Sequence, residues 1–260
     1  MTDPTGRPMS EETPEAPLAS GDEPQGTPTD LDERPAVEVP KPFARGTLEH
    51  EESEAKDGIL RMGSLVAERI IAAIVALEKH DTEAALAVIT SDGDINQLQR
   101  EVSDLISMTI ATQQPVARDL RFLLTLDHVA YDLERMGDHA SSVAKQARKL
   151  APHAPLKDYV HLPEMGRMVA NQVRDVLSAV VEIDDVRARA VAKRDDDVDD
   201  LYHAIFAETL DLMRDDPDNV DPGARILFEA HYLERVGDRV TNIAEDIVFL
   251  ATGEVTDLNP

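Results

Sequence analysis

From about Thr47 onward, apolar side chains recur at steps of three and four with little strict alternation, the periodicity of amphipathic helices and not of strands. The pattern predicts an all-α body of six helices: 47–79, 82–112 and 116–149, then 163–183, 185–214 and 222–251. On the third of these, Leu123, Leu126, Ala130, Leu133, Gly137, Ala140, Ala144 and Ala147 alternate steps of three and four, the seam of a coiled-coil-like bundle. The seam residues become small towards its end, which permits close approach of a neighbouring helix.

The body is written twice. Met62-Gly63 returns 103 residues later as Met165-Gly166, and at the same shift Asp81 matches Asp184, Ala87-Val88 matches Ala190-Val191, and Asp92 matches Asp195. A second segment, "LERMGD" from Leu133, returns as "LERVGD" from Leu233, at a shift of 100. Near-constant register across two separate segments marks an internal repeat. The expected architecture is two tandem pseudo-repeated three-helix bundles, 46–152 and 158–253.

Ahead of them, nine of the sixteen prolines fall in the first 42 residues, among Glu, Asp, Thr and Gly and with few large apolar residues. Such a segment cannot bury enough apolar surface to offset its ordering entropy, so 1–45 reads as a disordered, acidic, Pro-rich tail.

Composition narrows the chemistry. With no Cys and no Trp, the chain has no thiolate ligand, thiol nucleophile or disulfide, which leaves carboxylates, His, hydroxyls and amides. A formal charge of -26 argues against a sequence-independent grip on nucleic acid, where cationic surface supplies most of the affinity. The N-terminus lacks the apolar core of a signal peptide, and runs such as "IIAAIVAL" are too short to span a bilayer, so cytoplasmic residence without membrane insertion is expected.

The repeated "LER-hydrophobic-GD" segment is locally unfavourable. Glu134 and Asp138, like Glu234 and Asp238, are like charges four apart on a helix, which repel by a few tenths of a kcal/mol. Gly137 and Gly237 each cost about 1 kcal/mol relative to alanine. Each second helix carries its own pair, Asp92 with Asn96 and Asp195 with Asp199. The pairs lie about equally far, on the order of 30 Å, either side of turns at Pro115 and Pro217, so across an antiparallel hairpin they should be level. Up to four carboxylate-type side chains then share one height in each bundle. Oxygen ligand sets of this kind suit hard cations such as Mg2+, Ca2+ and Mn2+, and carboxylate-rich bundles also hold iron. The competing reading is a set of solvated acids paired with Arg100, Arg135 or Arg235.

Taken together, "QQPVARDLRF", "DLERMGDHASSVA", "RDDDVDDL" and "LERVGDRVTNIAEDIVFLATG" resemble the PhoU family of phosphate-uptake regulators over about 47–253, the tail excluded. The resemblance implies two three-helix bundles, a cytoplasmic homodimer and metal ions (iron, Mg, Mn or Zn) on the acidic motifs. Carried over by position, one metal site is Asp92, Asn96, Glu134 and Asp138, and the other is Asp195, Asp199, Glu234 and Asp238. Asn96 stands where an acid would complete the first set, so that site has one charge fewer.

The resemblance also implies an adaptor, not an enzyme. It would restrain phosphate uptake and starvation signalling through the ATPase subunit of the phosphate ABC transporter and a phosphate sensor histidine kinase. One alternative is a dimetal-carboxylate enzyme, but such sites need Glu-x-x-His on two helices, and Gly137 and Gly237 occupy the third position after each Glu. Asp200 with His203 approximates that motif, and no P-loop or GxGxxG is present. Another alternative is a metal-free PhoU-like adaptor of a different transporter.

Overall fold

The computed structural model describes residues 45–259 apart from Asp92, Lys157, Asp158 and Val160. The expected disordered tail, 1–45, lies outside the described residues except for Arg45, where the first helix begins. Among the described residues there are eight α-helices and no strand: α1 Arg45–Lys79, α2 Thr82–Thr90, α3 Gly93–Gln113, α4 Ala117–Leu150, α5 Leu162–Glu182, α6 Asp185–Ala192, α7 Asp195–Asp215 and α8 Val220–Thr252. None of these helices is long and apolar enough to cross a membrane.

The six expected helices are all present, with the middle one of each repeat broken near its start into α2/α3 and α6/α7. Breaking a helix strands backbone carbonyls that need new donors. At both breaks the donor is a buried polar side chain from the first helix of the repeat. Arg69 of α1 donates to the Ser91 carbonyl, and Gln172 of α5 donates to the Arg194 carbonyl at 2.8 Å. Arg69 and Gln172 are themselves 103 residues apart, as are Ser91 and Arg194. Helix ends repeat as well. Both α1 and α5 stop at a left-handed residue, His80 (φ 53) and Ile183 (φ 52), and the next residue, Asp81 or Asp184, caps the following helix.

Four long helices close the core in a ring: α1 packs on α4, α4 on α8, α8 on α5, and α5 back on α1. Helix α3 lies against α1 and α4, and α7 against α8 and α5, so each three-helix bundle shares its inner pair with a common core. Every predicted seam residue of α4, from Leu123 to Ala147, is buried.

The helices that meet across the repeats run antiparallel about a pseudo-two-fold axis. Gly63 of α1 faces the Leu177 side chain of α5, and Gly166 of α5 faces the Ile74 side chain of α1. A Cβ at either glycine would collide with the facing side chain, so the Met-Gly repeat marks two points of close approach. Between α4 and α8, Asp132 Oδ1 accepts from Arg239 Nη1 at 2.8 Å, and the reciprocal positions, His139 and Tyr232, stack with ring centroids 6.0 Å apart. Burial, then Arg239, Arg235, His231 and Arg135, push the His139 imidazole down to about 4, so it is neutral at physiological pH.

One acid in this core lacks a hydrogen-bonding partner. Glu229 of α8 is completely buried, and neither carboxyl oxygen accepts a hydrogen bond among the described residues. Burial raises its pKa well above the usual carboxylate value. Burial, then the Glu229 carboxylate, raise the Tyr159 hydroxyl to about 12.

This packing has two measurable consequences. Gly63→Ala should lose about 1–2 kcal/mol in urea unfolding, because overpacking against Leu177 outweighs the gain in helix propensity. Leu177→Ala should cost less in the Gly63→Ala background than alone, and additive losses would rule out the contact. For Glu229, a folded pKa above the unfolded one means stability falls as pH rises from about 4.5 towards the folded value. Glu229→Gln, neutral at every pH, should therefore gain thermal midpoint over the parent as pH rises from 5 to 8. A constant difference between the two proteins would show that the carboxyl does not take up a proton on folding.

Candidate metal site

In the first repeat, Asp92 lies outside the described residues, and Asn96 is half-buried on α3. Glu134 and Asp138 share one guanidinium: Arg135 Nε is 3.5 Å from Glu134 Oε2, and Arg135 Nη1 is 3.2 Å from Asp138 Oδ2. Facing Gly137 is the Ile95 side chain, 2.9 Å from where a Cβ would stand.

The second repeat is built differently. Asp195 begins α7 and Asp199 follows one turn later, while Glu234 and Asp238 lie on α8. Three acids, Asp195, Asp196 and Asp197, occupy the first turn of α7, where the helix dipole favours negative charge. The two hairpin arms are level as the spacing requires. Gly237 lies opposite Asp195, and a Cβ there would stand 2.5 Å from Asp195 Oδ1. Only 4% of Asp195 is exposed. Its Oδ2 accepts from Thr241 Oγ1 at 3.2 Å and from Asn259 Nδ2 at 3.0 Å. Asp238 Oδ2 accepts from Arg235 Nη1 at 2.8 Å. Glu234 Oε2 is buried, with His231 Nδ1 3.5 Å away.

These acids strain one another. Burial, and then the Asp199 charge, push Asp195 up to about 6. Burial, and then Asp238, push Glu234 up to about 7, against the opposing pull of Arg235. Asp199 rises from burial and then from Asp238. The cluster carries more negative charge than its protein neighbours neutralise, and it does so on all-oxygen donors, the chemistry that suits a hard cation. Among the described residues no three Asp, Glu or His side chains converge closely enough to hold one ion as they stand.

Other sequence candidates have local roles. His203 Nδ1 lies 2.7 Å from the Asp199 carbonyl of its own helix, and His128 lies 3.8 Å from Asp246. Two partners of Asp195 were not anticipated. Thr241 stands three residues after Asp238, and the buried Ser141 holds the matching place in the first repeat, so a hydroxyl after each "GD" was a readable signal. Asn259 lies beyond the last helix and carried no signal.

The two glycines should respond differently to alanine. Gly137→Ala meets the tip of Ile95, which can rotate away, so the helix-propensity gain of about 1 kcal/mol should leave stability near or above the parent. Gly237→Ala must displace the buried Asp195 with its two hydrogen bonds and should destabilise by about 1–3 kcal/mol. Urea unfolding of the two variants distinguishes them, and equal effects would contradict the close approach at Asp195.

Comparisons with known proteins bear on the fold and on the repeat. A family model described as PhoU domain matches residues 59–147 and again 162–247. A relative from Clostridium acetobutylicum, named phosphate-specific transport system accessory protein PhoU homolog, is 40% identical over 218 residues, covering 84% of this chain and 100% of the relative. One of the same name from Aquifex aeolicus is 36% identical over 202 residues, 78% of this chain and 91% of that protein. The crystal structure of PhoU from Pseudomonas aeruginosa superposes with a TM-score of 0.75 at 32% identity, covering 79% of this chain and 99% of that one. The phosphate transport system regulatory protein PhoU from Streptococcus pneumoniae also gives 0.75 at 32% identity, covering 81% and 99%. With two matched domains, a duplicated acidic motif and a shared fold, the chain belongs to the PhoU family.

Proposed function

We propose that this protein is a non-catalytic regulator of phosphate uptake that acts by binding protein partners and holds a metal ion in its second repeat. The phosphate role rests on relatives named as accessory or regulatory proteins of phosphate transport. The metal role rests on one observation: of the acids on α7 and α8 that share one height, Asp195 is buried with only neutral hydrogen-bond donors on its carboxylate. Asp195, Asp199, Glu234 and Asp238 would hold the ion, and oxygen donors favour Mg2+, Mn2+ or iron over Zn2+. A bound cation would neutralise the excess charge and brace the α7–α8 hairpin. In the first repeat Arg135 already pairs with both Glu134 and Asp138, and Asn96 brings no charge, so that half binds a cation more weakly.

A chain of net charge -26 acts through proteins and not through DNA. Its partners would be the ATPase subunit of the phosphate ABC transporter and a sensor histidine kinase. Deleting the gene should leave phosphate-repressed genes expressed in phosphate-rich medium. Restoring a copy with Glu234→Ala and Asp238→Ala should recover repression only in part, and co-purification with the intact chain should recover the ATPase subunit or the kinase. Normal repression in the deletion strain would refute the regulatory role. Calorimetric titration with Mn2+ should show weaker binding for Asp199→Asn than for Asn96→Ala, and equal effects would refute the ranking of the two sites.

A further inference from the structure

Past α8 the chain reverses. Gly253 takes a left-handed conformation (φ 79), and the residues after it run back along α8. Leu258 packs against the core and donates its backbone N–H to Glu245 Oε1 at 2.8 Å, and Asn259 Nδ2 reaches Asp195 Oδ2. The reach is comfortable. Returning from Thr252 to the level of Thr241 covers about 16 Å of helix. The segment can extend on the order of 23 Å. Beneath it is an open polar cavity of about 410 Å³, lined by Arg235, Asp238, Arg239 and Thr241 from α8 and by Asp257 and Asn259 from the segment itself.

We propose that the C-terminal segment, Gly253–Asn259, is a latch on the second-repeat site, released when a cation takes the Oδ2 atom of Asp195. The latch rests on the cation reading of that site. Asp195 Oδ2 already accepts two hydrogen bonds, from Thr241 and from Asn259, which use both lone pairs of that oxygen, while Oδ1 is packed against Gly237 of α8. A cation also repels the N–H and O–H dipoles aimed at that oxygen. Thr241 is fixed within α8. Asn259 sits on non-helical chain that, among the described residues, meets the helices through Leu258 and its backbone hydrogen bond to Glu245, so it is the donor that leaves. Docking and cation binding therefore oppose each other, and by linkage each weakens the other by the same factor. The state of a buried carboxylate cluster is thereby converted into exposure of the α8 surface around Arg235, Arg239 and Asn242, where a partner can read it.

The test uses Mn2+ as probe and compares the full chain with Asn259→Ala and with a chain ending at Gly253. Hydrogen bonds to charged groups are worth about 1.5–3 kcal/mol, so both changes should tighten Mn2+ binding on the order of tenfold in calorimetry. Because the chain has no cysteine, Val255→Cys, at an exposed position, takes a single fluorescent label. Its anisotropy should fall on adding Mn2+ and should not change when Asp195→Asn is also present. Unchanged affinity in both altered chains, with Mn2+ still bound, overturns the latch and leaves the cation reading standing. Weaker binding also overturns it, making Asn259 a ligand through its amide oxygen. No Mn2+ binding to any of the three chains removes the cation reading and the latch together.

Discussion

The close contact of α1 with α5 fixes the register on which the rest of the bundle depends. Where Gly63 meets Leu177 and Gly166 meets Ile74, the helices are near enough that a Cβ at either glycine would collide with the facing side chain. Packing at crystal-like density leaves such contacts no room to shift. That register carries Arg69 and Gln172 to the breaks in each middle helix, where they take the Ser91 and Arg194 carbonyls. With those carbonyls satisfied, α3 and α7 begin at a defined height. Asp195, the first residue of α7, therefore arrives level with Gly237 and Thr241 on α8. The carboxylate cluster is thus held by contacts on the far side of the bundle.

The two repeats share this frame but differ in electrostatics. In the first, Glu134 and Asp138 both have Arg135 within 3.5 Å, and a paired, partly solvated carboxylate gains little from any further partner. In the second, Asp195 is taken out of water and given only neutral donors, so its charge is only partly compensated. The burial of Glu234 adds to that deficit. On the proposed function, the half that leaves Asp195 undercompensated would respond to an arriving cation more strongly than the half whose two helix-borne acids both meet Arg135.

Much of this was legible in the residues because helical architecture is written in local periodicity. The α4 seam could be read residue by residue, since a step of three or four fixes a face whatever lies beyond it. The shift of 103 foretold that Asp81 and Asp184 do the same work, and both cap a helix. The placing of the acid pairs about turns at Pro115 and Pro217 anticipated Asp195 opposite Gly237. What escaped depends on contacts distant in sequence. The break before α7 has no strong breaker in "AKRD", and the Arg194 carbonyl there accepts a hydrogen bond from Gln172, 22 residues earlier. Glu229 sits at an ordinary helical position, and nothing around it in sequence announces complete burial. Asn259 stands seventeen positions after Asn242 and meets Asp195 because Gly253 turns the backbone around.

The reciprocal contacts between α4 and α8 bear on how the two halves can diverge. When two identical subunits meet about a two-fold axis, residue i touches j and j touches i, so every contact away from the axis is made twice and both copies must be the same. Here the two partners are halves of one chain, and the rule no longer binds. At one pair of positions Asp132 clasps Arg239, while at the mirrored pair His139 lies against Tyr232, a salt bridge on one side and an aromatic stack on the other. Covalent linkage has turned a homodimer-like interface into one whose two edges can be tuned independently. A substitution that would strike an ordinary dimer twice changes this one on a single side, which lets the two halves diverge while the shared frame is kept.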